Sequence, residues 1–167
     1  MGTMSFLTEF ESHLPTDLRK QFLSLKTPFA IQQYLDSLTY NGEERDRSPL
    51  NVMLDGQGHC LDGGFLASLA LWQIGFKPLV IDIVPDPGVD DDHVLALYQI
   101  EGRWGALAKT NYINLGFREP VYKNLREQWN CYAPVEMFVI QDIRSGFIPC
   151  PVEMRITRGV YRTRVSG

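Results

Sequence analysis

The stretch Gly56-Gln57-Gly58-His59-Cys60-Leu61-Asp62-Gly63-Gly64 decides how the rest of the chain is read. The pair of glycines at 56 and 58 marks a tight turn that exposes its backbone. Directly after it, Leu61, Phe65, Leu66, Leu69 and Trp72 recur at helical intervals as far as Ile74, and Gly75 supplies a C-terminal stop. The turn thus delivers a thiol, Cys60, to the first turn of a buried helix. Orphan N–H groups and the helix dipole at that end favour an anion, so the sulfur is expected to be activated as a thiolate. The same N–H groups suit the oxyanion that forms when a thiolate attacks a carbonyl.

Downstream of this helix, three runs rich in β-branched or aromatic residues predict strands over Lys77–Val84, Val94–Ile100 and Arg103–Ala108, with Glu101-Gly102 as a hairpin turn between the last two. Pro120–Trp129 has helical character and Met137–Asp142 reads as a strand. Alternation at Val152, Met154, Ile156 and Val160 suggests one more, and the role of residues 133–167 is left open. Upstream, Phe10, Leu14, Leu18, Phe22 and Leu25 predict two short helices divided at Pro15. Thr27-Pro28 opens a third, with Phe29, Ile31, Tyr34, Leu35 and Leu38 as its stripe, ending near Tyr40-Asn41-Gly42. The polar run from Asn41 to Pro49 reads as a surface loop.

With 167 residues, 44% hydrophobic and 22% charged, the chain fits one domain spanning 1–167 with a real core. No repeat, low-complexity segment or linker divides it. The formal charge is −4 and the 16 Lys and Arg are scattered, which argues against a nucleic-acid partner. Apolar stretches such as Leu66–Leu71 fall far short of the roughly 20 residues that cross a bilayer, and the N-terminus lacks the basic region of a secretory signal. Three cysteines, Cys60, Cys131 and Cys150, show no close pairing and imply neither a disulfide framework nor a structural zinc site. A reducing, cytoplasmic location is the expectation.

A thiol at a helix end needs a base that takes its proton and returns it to the leaving group. His93 is the candidate, because it opens a strand after the acidic loop that runs from Asp86 to Asp92 and so stands at one end of the sheet. A third group that fixes the imidazole tautomer is expected at the same rim, and Asn111 is well placed there. Gln57 carries an amide able to donate to an oxyanion, and Asp62 suits the first helical turn. Plainer readings stand beside these. Cys131 and Cys150 read as small buried hydrophobes, Trp104 as core, and Asn111 also suits a turn. His59 adjoins Cys60, yet neighbours on a helix point about 100° apart. Asp90, Asp91, Asp92 and His93 suit a metal-dependent hydrolase, against which stands a solvated acidic loop; no metal and no other cofactor is expected.

Gly58-His59-Cys60-Leu61-Asp62 before a buried helix, Gly75-Phe76-Lys77-Pro78 before an apolar strand, then Asp92-His93-Val94 and Gly102-Arg103-Trp104, resemble the transglutaminase-like cysteine protease superfamily over roughly residues 27–126. Ser48-Pro49-Leu50-Asn51-Val52 and Phe117-Arg118-Glu119-Pro120-Val121-Tyr122 are similar to phrases in small bacterial members. The resemblance implies an α+β, papain-like core, in which a Cys-bearing helix packs on an antiparallel sheet, here preceded by N-terminal helices. It matches Cys60 to the nucleophile and His93 to the base. Where the superfamily carries an Asp after the second strand's Trp, this chain reads Ala106-Leu107-Ala108-Lys109-Thr110, with Asn111 as substitute. The implied activity is hydrolysis or acyl transfer on an amide or ester of a peptide, protein or small molecule. A catalytically silent binding module on the same fold is the alternative.

Overall fold

The computed structural model describes residues 3–43, 45–84, 93–111, 116–129, 137–142, 152–157 and 160–164. Three helices lead: α1 (Thr3–His13), α2 (Thr16–Ser24) and α3 (Pro28–Ser37). Pro15 divides the first two as N-cap of α2, and Thr27 caps α3 by accepting the Ala30 N–H at 3.1 Å, with Pro28 in the first turn. α3 stops earlier than its stripe suggests. Thr39–Tyr40 forms a short strand, β1, that pairs in parallel with β2 (Gln57–Gly58), the residues just ahead of Cys60.

Between these strands lies α4 (Pro49–Asp55), which the sequence reading does not contain. It repeats the device that opens α3. Ser48 accepts the Asn51 N–H at 3.3 Å ahead of Pro49, and Gly56, at φ 65°, closes the helix in the left-handed conformation that glycine adopts without strain. The preceding loop is likewise not all surface, because Arg47 is buried.

α5 (Cys60–Gln73) and the strands β3 (Leu79–Val84), β4 (His93–Ile100) and β5 (Arg103–Leu107) follow as expected, with Glu101 and Gly102 both at positive φ in the hairpin turn. The helix predicted over Pro120–Trp129 is corrected. Residues Arg118–Tyr122 form β6 on the sheet edge, where Pro120 is tolerated, and only Leu125–Trp129 is helical, as α6. β7 (Met137–Asp142), β8 (Val152–Thr157) and β9 (Val160–Arg164) complete an antiparallel sheet ordered β6-β5-β4-β3-β7-β8-β9. The tail thus supplies two strands rather than one.

The sheet has two apolar faces, as the period of two along each strand dictates. One face meets α5: Ala96, Tyr98 and Leu107 join Leu66, Leu69, Leu71 and residues of α1 to α4 in one core. On the other face Ile81, Ile83, Leu95, Leu97, Ala106 and Ala108 form a second cluster, with Trp104 and Leu125 against it. Leu66, Leu69 and Leu71 are essentially solvent-free, and each such side chain stabilises the fold by roughly 2 kcal/mol. α5 approaches so closely because Gly63 and Gly64 face the sheet. A Cβ on Gly64 would stand 2.8 Å from Val94 Cγ1, and one on Gly63 would run into Lys109. The α+β architecture, a Cys60-bearing helix on an antiparallel sheet after N-terminal helices, is the expected one. Among the described residues no helix is long and apolar enough to cross a membrane.

Candidate active site

Cys60 is the first residue of α5, half-buried. Burial pushes its thiol above the ordinary value, and backbone hydrogen bonds from Val94 and Leu61 pull the other way, while the negative charge of Asp82 adds to the upward push. The net direction is up. Loss of solvent outweighs the backbone N–H groups that reach the sulfur.

His93 is the first residue of β4, paired with Ile83 of β3, and its Nε2 is sealed from solvent. Strand alternation gives it the same side as Leu95 and Leu97, the side away from α5. The next residue, Val94, faces α5, packs against Gly64, and hydrogen-bonds the sulfur through its backbone. The sulfur therefore lies at the peptide that directly follows His93, at the open end of β4.

Asp62 is fully buried and organises the turn ahead of the thiol. Its Oδ1 accepts the Arg47 N–H at 2.7 Å and its Oδ2 the His59 N–H at 3.2 Å. Gly58 must lack a side chain here, since a Cβ would stand 2.9 Å from Asp62 Cβ. The Arg47 guanidinium lies 3.9 Å from Asp62, 3.4 Å from Asp55 and 3.2 Å from Glu43. The loop thought to be surface is in fact anchored on the first turn of α5.

Gln57 is half-buried, and its Oε1 accepts from Asn41 Nδ2 at 3.4 Å, which leaves the NH₂ end of the amide pointing elsewhere. Asn111 is exposed. Ala96 pairs with Leu107 and Leu97 with Ala106; continuing that register sets Lys109 beside Val94 and Thr110 beside His93, with Asn111 one residue farther. Lys109 is buried, its stem against Gly63, and Nζ donates to the Leu38 carbonyl at the end of α3 at 2.6 Å. Burial lowers its pKa, an effect that the charge of Asp36 opposes. Next to it, the buried Gln32 amide donates to Ala108 O at 2.9 Å and accepts the Ala108 N–H at 3.1 Å, so α3 clamps the strand end on which the rim depends.

His59 is turned toward carboxylates: its Nε2 lies 3.5 Å from Asp46 and 3.6 Å from Asp62. Among the described residues Asp46, His59 and Asp62 are the group whose ligand-type atoms come within 4.8 Å of one another. Both Asp62 oxygens already accept backbone N–H groups and the buried Arg47 stands beside them, so a further cation would meet repulsion there. Asp90, Asp91, Asp92, Cys131 and Cys150 lie outside the described residues. Trp104 packs on the second cluster and also lines a cavity of ≈ 350 Å³ with Phe76, Lys77, Leu97 and Tyr98, at the end of β4 away from His93.

Sequence reasoning missed Asp82. It is the single charge within Leu79-Val80-Ile81-Asp82-Ile83-Val84, it pairs with Val94, and its Oδ1 is sealed from solvent. A lone acid inside an apolar strand was the available signal.

No family model matches the chain, and no curated protein does. Among solved structures it is similar to LapG of Legionella pneumophila, at 16% identity over 64% of this chain and 72% of that one, with a TM-score of 0.46. The calcium-bound form of LapG aligns over 95% of this chain and 86% of that one, at 13% identity and a TM-score of 0.45. A protein of Cytophaga hutchinsonii assigned as a cysteine protease aligns over 81% of this chain at 14% identity and a TM-score of 0.48; the match spans 46% of that longer chain.

Proposed function

We propose that the protein is a thiol-dependent hydrolase or acyl-transferase of the transglutaminase-like type, acting on an amide or ester carbonyl of a peptide, a protein or a small molecule. The observation that carries this reading is the hydrogen bond from the backbone of Val94, the residue after His93, to the sulfur of Cys60 at the start of α5. A thiol here needs a base to take its proton, and this reading gives that role to His93, whose imidazole has to come round the end of β4 from the side on which strand alternation sets it. The sulfur bonds to the carbonyl carbon as the S–H proton passes to His93, and the proton then goes to the leaving amine or alcohol as the C–N or C–O bond breaks. Water or an acceptor amine gives a proton to His93 as it attacks the thioester, the C–S bond breaks, and that proton passes to the sulfur.

The N–H groups of the first turn of α5 and the Gln57 amide are the donors for the oxyanion, and Asp62 holds that turn in place. Asn111, exposed in the stretch after β5, is the third group of this reading, with Thr110 next to it. A single domain in the cytoplasm remains the proposed setting. An acyl-trapping probe tests the reading: labelling on Cys60, lost in Cys60→Ala and strongly slowed in His93→Ala, is expected, and no labelling at any pH would sink it. The raised thiol and the exposed Asn111 favour the second reading, a binding module without turnover. In that case Cys60→Ala captures the same partners as the wild type and no probe labels Cys60.

A further inference from the structure

We propose that Asp82 is a further member of the Cys60 site, a positioning residue whose carboxylate faces the sulfur from β3 and governs how readily the thiol gives up its proton. The inference rests on the reading of Cys60 as a nucleophile and goes beyond the cysteine, imidazole and amide named for it.

Three observations place Asp82 there. The register pairs it with Val94, the residue whose backbone bonds the sulfur. Strand alternation sends Ile81 and Ile83 to the far cluster and so turns Asp82 to the side of α5, where Val94 packs on Gly64 one turn below Cys60. Asp82 is half-buried and its Oδ1 is sealed from solvent. The electrostatic sign agrees: the Asp82 charge raises the thiol.

Among the described residues, the other charged and titratable groups near the sulfur do not take this role. On α5, Asp62 is committed to the Arg47 and His59 N–H groups, and Arg47 to Asp62, Asp55 and Glu43. Beyond β5, Lys109 reaches the Leu38 carbonyl. His93, on β4, is the proton acceptor itself. Asp82 therefore has the place of a restraint: a carboxylate that opposes a free thiolate. It suppresses adventitious reaction of the sulfur and leaves the base-assisted step open.

The test is the pH dependence of iodoacetamide alkylation at Cys60, read by mass spectrometry on wild type, Asp82→Asn, Asp82→Ser and Asp82→Glu, with circular dichroism to select the folded neutral variant. The expected result is an alkylation midpoint at lower pH and several-fold faster alkylation near neutral pH in the neutral variant, with Asp82→Glu returning toward wild type. An unchanged midpoint in the folded neutral variant overturns the proposal, as does unfolding of both neutral variants while Asp82→Glu stays folded with an altered midpoint, which marks a purely structural acid. A shifted midpoint in a protein that no acyl probe labels keeps the role of Asp82 and removes the proposed turnover, so the two failures are told apart.

Discussion

Arg47 is joined to Asp62 twice: its backbone N–H donates to Oδ1 at 2.7 Å, and its guanidinium stands 3.9 Å from Oδ2. One fully buried carboxylate thus holds the loop before α4 against the turn before Cys60. Asp62→Ala leaves two N–H groups without their acceptor and takes from Arg47 the buried one of its three carboxylates, Asp55 and Glu43 remaining, and is expected to cost about 2–5 kcal/mol in urea unfolding. A loss below about 1 kcal/mol would show that the anchor is unimportant.

The close seat of α5 on the sheet leads to a second expectation. Gly63→Ala and Gly64→Ala put a methyl into Lys109 and Val94 respectively. Each should lose about 1–3 kcal/mol through overpacking. Because the helix carrying Cys60 must lift, labelling by an acyl probe should fall by more than the folded fraction does, and labelling in simple proportion to folding would contradict the argument.

Alkaline stability should carry the mark of the thiol. Its folded value is raised, so between the ordinary value of about 8.5 and the folded one the unfolded chain loses the proton first. Stability from this group is whole below that window and declines as pH rises through it. Equilibrium unfolding of reduced protein should show this slope, and Cys60→Ser should flatten it; an identical slope in the variant would refute the assignment.

Lys109 works in the opposite sense. Burial lowers its pKa, so the folded chain sheds the proton before the unfolded one and gains stability as pH climbs toward the ordinary lysine range. Lys109→Met should remove that gain. At neutral pH it should also cost about 1–3 kcal/mol, because the Leu38 carbonyl loses its donor. Denaturant titrations at two pH values measure both effects.

The elements nearest the chemistry were legible because their signals are local. Gly56 and Gly58 ahead of an apolar helical stripe gave α5, and Glu101-Gly102 gave the β4–β5 hairpin. α4 was hidden because Ser48-Pro49 follows a charged run whose central Arg47 is drawn inward by acids distant in sequence. β6 read as helix because pairing with β5, a tertiary fact, decides its state. Asp82 was overlooked within a hydrophobic run, and Lys109 registered only as a missing Asp, since the carbonyl it reaches belongs to α3. The rim opposite His93 depends on register past the end of β5, which residue types alone do not encode.

The clamp of Gln32 on Ala108 and of Lys109 on Leu38 joins residues 76 and 71 positions apart along the chain. Such contacts close late, after the intervening loops have given up their entropy. In a nascent or half-folded chain the end of β5 is accordingly still loose from α3, and the site proposed around Cys60 is complete only when the last long-range joints have set.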